Sequence, residues 1–345
     1  MSEYAAGPVA ALRRIAFLLE RAREDTYKVK AFRGAAATIL PIPDAELARH
    51  VDAGTLTKLP GVGASSAKVI AAAVRGEVPE RLAKAESELA GPLTDGGGDA
   101  LRALLRGDLH SHSDWSDGGS PIEEMAFTAI ELGHDYLVLT DHSPRLTIAH
   151  GLSAERLTRQ LGVVEAVNGH LAGSGFTLLK GIEVDILDDG SLDQDDDLLA
   201  RLDVRVASVH SKLKMDAPAM TRRMIGAVRN PRTNVLGHCT GRLVTGGRGT
   251  RGQSQFDAKA VFEACAEHDV AVEINSRPER RDPPTTLLEL ARDSGCLFSI
   301  DSDAHAPGQL DFLVLGCERA EAAGIDADRI VNSWPRERLL AWARK

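Results

Sequence analysis

No stretch of this chain approaches the roughly 18 consecutive apolar residues that a membrane span requires, so membrane-embedded activities are not expected. The opening residues MSEYAAGPVAALRRIAFLLE lack the basic start, apolar core and small-residue cleavage site of a secretory signal, which places the protein in the cytoplasm. Cysteine is scarce: Cys239, Cys265, Cys296 and Cys317 are widely spaced and form no CxxC pair. Buried thiols are therefore expected, rather than disulfides or a thiolate zinc centre. No repeat of fixed period is visible, which excludes solenoids and propellers. What remains is an ordinary globular composition, 43% hydrophobic and 26% charged, in a chain of 345 residues, long enough for one large domain and a smaller one.

The net charge of −9 is unevenly spread. Residues 1–90 carry 13 Lys and Arg against 11 Asp and Glu, whereas residues 91–345 carry 28 against 39. An acidic domain of this kind repels a polyanion unless bound cations offset it locally. Residues 8–90 read as all-helical, with Leu12, Ile15, Leu18, Leu19 and Ala22 at helical spacing. The glycine-rich run GPLTDGGGD (91–99) has the composition of a flexible boundary. The expected organisation is a helical domain over 1–92, a linker over 93–106 and a second domain over 107–345.

From Gly107 onward, short apolar runs alternate with amphipathic segments. The runs are DLHSH (108–112), YLVLTDH (136–142), FTLLKGIEV (176–184), VRVASVH (204–210), NVLGHC (234–239), VAVEIN (270–275) and CLFSIDSDAH (296–305). Helices are expected between them over 121–133, 153–170, 216–229, 257–268 and 283–295. Strict alternation predicts an α/β fold with parallel strands and helical crossovers. Nearly every run ends in His, Asp or Glu, and only a barrel collects all strand C-termini at one mouth, so a barrel is preferred over an open sheet.

These run ends carry the chemistry. His110 and His112 at i and i+2 on an extended segment point the same way and can grip one ion together. Asp117 follows, then His142, Glu183, His210, His238, Asp303 and His305, each after an apolar strand. Singly, each has a bland reading as a hydrogen-bonded histidine or a buried ion-pair partner. Together they place six of the eleven histidines, with three carboxylates, in strand-end slots. The other five, His50, His134, His150, His170 and His268, fall in helices and loops and are read as ordinary. Imidazole with carboxylate and no thiolate suits Zn, Mn or Fe. Nine donors exceed one ion's needs, so three divalent ions with bridging carboxylates are expected, and such clusters activate water and clamp a phosphoryl group. The acidic run Asp193–Asp197 is read as a solvated helix start.

The motifs DLHSHSDWSDG, TDH, GIEVDI, SVH, GHCTGR, EINSRPER and IDSDAH together resemble the PHP (polymerase and histidinol phosphatase) domain, most closely the version at the C-terminal end of bacterial family X DNA polymerases. The resemblance spans roughly 107–340. It implies a distorted (β/α)7 TIM-like barrel, three catalytic metals and all nine ligands named above. It also implies that Arg242 in GHCTGR and Arg280 in NSRPER hold substrate phosphate by bidentate contact, against the plainer reading of surface ion pairs. Glu183 is the candidate bridging ligand and acts in catalysis. Arg277 falls where related sequences often have asparagine and is assigned no role. The loop Thr245–Gln253, carrying Arg248 and Arg251, is read either as a cover over substrate or as a plain surface loop.

In the N-terminal half, Leu59-Pro60-Gly61-Val62-Gly63 before a helix starting at Ala64 is a helix-hairpin-helix signature. Its backbone can approach a DNA phosphate closely and without sequence readout, so Gly61, Val62, Gly63, Ser65 and Lys68 are the candidate DNA contacts. A tight interhelical turn serving only packing is the alternative. With YKVKAFRGAAATI (27–39), the region resembles the small N-terminal DNA-binding domain of family X polymerases. Where lyase members of that family carry a Schiff-base lysine, this chain has Val69, beside Lys68. The nucleotidyl-transfer domain expected between the halves is missing, which excludes templated polymerisation. The leading expectation is a phosphoesterase acting on DNA, as a 3′-5′ exonuclease, a 3′-end-processing enzyme or an abasic-site nuclease. A phosphatase of a small phosphomonoester such as histidinol phosphate is second, and a non-catalytic DNA-binding protein third.

Overall fold

The computed structural model describes residues 7–246 and 249–344, which fall into two compact units divided between Pro92 and Leu93. In the first unit, α1 (Pro8–Arg21), α2 (Thr26–Ile39), α3 (Asp44–Asp52), α4 (Ala64–Val74) and α5 (Glu80–Leu89) surround one apolar cluster that includes Leu12, Ile15, Leu19, Phe32, Ile39, Val69 and Ile70. Pro8 opens α1, and Asp25 caps α2 by accepting from Tyr27 N–H. Helix α1 stops at Arg21, so Ala22 is exposed instead of continuing the apolar stripe.

The second unit begins with α6 (Asp99–Arg102), followed by β1 (Gly107–Ser111), α7 (Ile122–Glu131), β2 (Tyr136–Leu139), α8 (Ala154–His170), β3 (Thr177–Asp185), α9 (Asp196–Leu199) and β4 (Val204–Ser208). Then come α10 (Ala217–Val228), β5 (Val235–Leu236), α11 (Ala258–Glu267), β6 (Ala271–Asn275), α12 (Thr285–Asp293), β7 (Phe298–Asp301), α13 (Leu313–Ala322) and α14 (Arg336–Ala343). All seven strands lie where the apolar runs predict them, and each pairs in parallel with the next. The segment 93–106 is not a free linker. Leu101 and Leu105 are buried in this unit's core, and Glu321 accepts from the N–H groups of Gly98 and Leu101.

Period-2 alternation sorts the strands. Tyr136 and Val138 pack inward with Leu109, Val204, Val206 and Val235, while Leu137 and Leu139 face the helix layer beside Met125 and Val164. Between β7 and β1 the barrel closes largely through side chains. Asp301 Oδ1 accepts from Leu109 N–H, Asp108 accepts from Ser302 N–H, and the Asn332 amide spans Gly107, Ile300 and Asp301. Tyr136 donates its hydroxyl to the Asn332 and Trp334 carbonyls, and Arg205 and Asn234 donate to Ala343 O, so the C-terminal segment seals the end away from the strand C-termini. The four cysteines are buried free thiols, and none of the described helices is long and apolar enough to cross a membrane.

His134, read as ordinary, is buried between α7 and β2 with Nε2 facing Arg102 Nη2 at 2.9 Å. Burial and the Arg102 charge push its pKa down to about 3. An unfolded histidine titrates near 6.5, so below that pH the unfolded chain takes up a proton that the folded one refuses. The stability tied to the neutral ring is complete above about pH 6.5 and shrinks by about 2 kcal/mol by pH 5. Urea unfolding at pH 7 and pH 5 should show that His134→Gln removes this share of the acid sensitivity.

Candidate metal centre

The nine sequence-predicted donors meet at the C-terminal mouth of the barrel, although they come from seven separate places in the chain. Glu183 on β3 stands at the middle and is 1% exposed. Its two oxygens face different histidines. Oε2 lies 2.9 Å from His142 Nδ1, 3.3 Å from His110 Nε2 and 3.6 Å from His112 Nε2, whereas Oε1 lies 2.8 Å from His238 Nε2 and 3.1 Å from His210 Nε2. Asp303 Oδ1 lies 3.4 Å from His112 Nε2. Asp117, the most exposed of the three carboxylates, is 3.3 Å from both His142 Nε2 and His305 Nε2.

Three overlapping groups of donors are compact enough to hold an ion each: His112, Asp117, His142 and His305; His110, His112 and Glu183; and His142, Glu183 and His210. His112, His142 and Glu183 each belong to two of them, so ions filling the groups would sit close together and share ligands. The fit can be tested on the nitrogen atoms. His110 Nε2, both nitrogens of His112, His142 Nδ1, His210 Nε2 and His238 Nδ1 are buried without a hydrogen-bond partner. Buried polar atoms are rarely left so, and four of these nitrogens, His110 Nε2, His112 Nε2, His142 Nδ1 and His210 Nε2, crowd the Glu183 oxygens without hydrogen-bonding geometry, as ligands around cations do.

The protonation balance tells the same story. Burial raises the carboxyl pKa of Glu183, but His210, His110 and His142 outweigh it and hold Glu183 well below the usual carboxylate range. Burial likewise resists a charge on His142, yet Glu183 and Asp117 lift it to about 10. His112, buried and pressed by the charges of His305 and His142, falls to about 3. The acids demand more positive charge than protons on close-set rings can supply, and multivalent cations meet that demand.

A second layer of residues, not singled out by the sequence reasoning, holds the donors. Glu273 Oε1 binds His110 Nδ1 at 2.5 Å, and its Oε2 accepts from the His238 backbone N–H and from Asn275 Nδ2. Asp185 binds His210 Nδ1 at 3.1 Å. Asp141 accepts from Ser113, Ser116 and Gln160 and so shapes the loop that carries Asp117. Carboxylates behind histidines fix the ring tautomer and make the facing nitrogen a better donor. Asp141 and Asp185 lie one and two positions from a ligand, in TDH and IEVD, whereas Glu273 in EIN stands far in sequence from any of the nine and carries no such signal. The register shift in β1 between Asp108 and Ser111 falls in the stretch that bears His110, where a bulge re-aims side chains.

The arginines occupy different surroundings. Arg280 donates from Nε to Asp303 Oδ2 at 3.1 Å, inside the cluster. Arg242 instead donates to the carbonyls of Arg280 and Arg281, clamping that loop. Arg277, assigned no role, places Nη1 2.8 Å from His305 Nδ1. Arg248 lies outside the described residues; Leu243 and Arg251 exchange a pair of backbone hydrogen bonds. The acidic run is only partly solvated. Asp193 accepts from Ser143 Oγ and Arg145 N–H and so pins the loop after His142, and Asp196 pairs with Arg232.

In the helical unit, Gly61 takes φ +73 in the turn before α4, a conformation that suits glycine, and Thr38 Oγ1 donates to Pro60 O. Gly63, Ser65 and Lys68 are exposed. Val62 is not a surface contact: its side chain is 5% exposed in the helical core and its N–H donates to Leu59 O. Val69 is also buried in that core, so no side chain at the lyase position reaches solvent.

Comparison with known proteins agrees with this architecture. Residues 108–277 match the PHP domain and residues 6–77 a helix-hairpin-helix domain. Over 229 residues the chain is 37% identical to the DNA polymerase/3'-5' exonuclease PolX of Bacillus subtilis, a match covering 66% of this chain and 39% of that protein. A probable phosphatase of Aeromonas hydrophila is 30% identical over 250 residues, covering 67% of this chain and 91% of that one. The crystal structure of a histidinol phosphate phosphatase from Lactococcus lactis, in complex with zinc, L-histidinol and phosphate, aligns with 18% identity and a TM-score of 0.46 over 64% of this chain and 95% of that one. Seven parallel strands with helical crossovers, a mouth lined by imidazoles and carboxylates, and the matches to the two domain families and to the Bacillus and Aeromonas sequences have one reading: the chain belongs to the PHP domain family and is a metal-dependent phosphoester hydrolase that also carries a helix-hairpin-helix domain.

Proposed function

We propose that this enzyme hydrolyses phosphoester bonds in DNA, removing or cleaning 3′ ends or cutting at abasic sites, with three divalent ions (Zn, Mn or Fe) held by His110, His112, Asp117, His142, Glu183, His210, His238, Asp303 and His305. The observation that carries the substrate choice is the pairing, in one chain, of this donor set with a helix-hairpin-helix turn whose glycines allow close backbone approach to phosphate. The name of the Bacillus relative, which includes a 3'-5' exonuclease, supports the same choice, although this chain spans about two fifths of that protein's length.

Ions bound at these donors would supply positive charge to the phosphoryl oxygens and lower the pKa of water. The chain's own residues do the rest. Glu183 presents one oxygen to each side of the cluster, which suits a bridging ligand. Glu273 and Asp185 keep His110 and His210 oriented. Arg280 holds Asp303 in place and lends a positive charge beside the mouth. Gly61, Gly63, Ser65 and Lys68 would hold the DNA backbone without reading its bases, since phosphate contacts position and base contacts specify. A phosphatase acting on a small phosphomonoester remains the second reading, favoured by the probable phosphatase that matches across 91% of its length.

The direct test is a panel of defined substrates. Metal-stripped protein reloaded with Mn or Zn should act on 3′-recessed, 3′-phosphorylated or abasic oligonucleotides and stop when a chelator is added. No metal-dependent action on any of the three would overturn the DNA assignment.

A further inference from the structure

Arg277 follows β6 and enters the cluster beside His305. Its Nη1 lies 2.8 Å from His305 Nδ1 and 3.1 Å from the Asp303 carbonyl oxygen. A guanidinium only donates hydrogen bonds and does not lose its proton in proteins. His305 Nδ1 therefore accepts, and a neutral imidazole held this way carries its proton on Nε2. That nitrogen lies 3.3 Å from Asp117 Oδ1, and through it His305 would complete the group formed with His112, Asp117 and His142. An ion there needs the Nε2 lone pair, so the proton must move to Nδ1. An acceptor for it stands ready, because the Asp303 carbonyl oxygen is 2.9 Å from Nδ1. Arg277 and the ion thus require opposite tautomers of one ring.

The other histidines are backed by the reverse chemistry. Carboxylates, Glu273 and Asp185, face the Nδ1 atoms of His110 and His210 and hold the proton there, leaving Nε2 turned toward Glu183. Resting on the metal-ligand reading above, we infer that Arg277 competes with the divalent ion for His305 and makes the His112–Asp117–His142–His305 position the weakest and most readily exchanged of the cluster. Arg277 is a positioning residue here, acting through His305. Releasing a hydrogen bond from a charged donor should be worth between about ten-fold and a hundred-fold in affinity at that position.

The experiment uses the full chain, stripped of metal and titrated with Zn²⁺ against a chromophoric chelator, with bound metal counted by mass spectrometry. The wild type should show one equivalent weaker than the rest. Arg277→Met should tighten that equivalent by about ten- to a hundred-fold and leave the others unchanged. Arg280→Met removes a positive charge beside Asp303 without touching His305 and should tighten that equivalent far less. Long-range ¹H–¹⁵N correlations of the metal-free wild type, which need no variant to fold, should place the His305 proton on Nε2. Equal effects of the two arginine variants, or a proton found on Nδ1, would overturn the competition while leaving the metal centre intact. Wild-type protein that binds no Zn²⁺, or a His305→Ala variant with undiminished stoichiometry, would bring down the ligand assignment and this inference together.

Discussion

Glu183→Gln should lower kcat/KM by about a thousand-fold or more on any phosphoester and reduce the metal retained per chain. The substitution keeps the shape and removes the charge. In the wild type both carboxylate oxygens accept: one faces His110, His112 and His142, the other His210 and His238. An amide keeps one oxygen and turns two N–H donors on the other set of nitrogens, so one side of the cluster loses its anionic ligand and meets a donor instead. Loss of about 4 kcal/mol of charge stabilisation in the transition state corresponds to about three powers of ten in rate. Metal content by mass spectrometry and kcat/KM on one small and one DNA substrate check both halves of the expectation. Activity within ten-fold of wild type, with full metal content, would remove Glu183 from the centre of the site.

The second large effect separates the two substrates. A chain reduced to residues 93–345 should keep its turnover of p-nitrophenyl phosphate within about two-fold, because the barrel has its own apolar clusters and all nine donors. On DNA its KM should rise by about ten- to a hundred-fold, the loss expected when a few phosphate contacts are withdrawn, and the salt dependence of binding should become shallower. In the full chain, Gly61 holds the left-handed turn, while Gly63, Ser65 and Lys68 lie exposed along the start of α4. Equal KM values for the two proteins on DNA would favour the small phosphomonoester.

Much of the barrel was legible because its signals are local. Each strand is a short apolar run, each crossover helix has a start or stop residue, and a polar residue at a strand's C-terminal side has one place to go in a barrel. Elements without such a signal were missed: α6 sits in a glycine-rich stretch that reads as a linker, yet Leu101 and Leu105 bury in the core and Glu321 receives two of the segment's N–H groups. Val62 shows the opposite failure. A hairpin motif suggests surface contact, but in a tight turn between packed helices the one β-branched side chain turns inward.

What the sequence determined by itself was which atoms can bind metal and in what order along the barrel they arrive, since ligand chemistry belongs to residue type and strand order to the apolar rhythm. Only the tertiary structure decided which partner stands behind each ligand. Glu273 behind His110, Asp185 behind His210 and Arg277 behind His305 are contacts across 163, 25 and 28 residues of chain. The tautomer of a ring, and with it the strength of a donor, depends on the atom a few ångströms behind it, and no spacing in the sequence reports that distance.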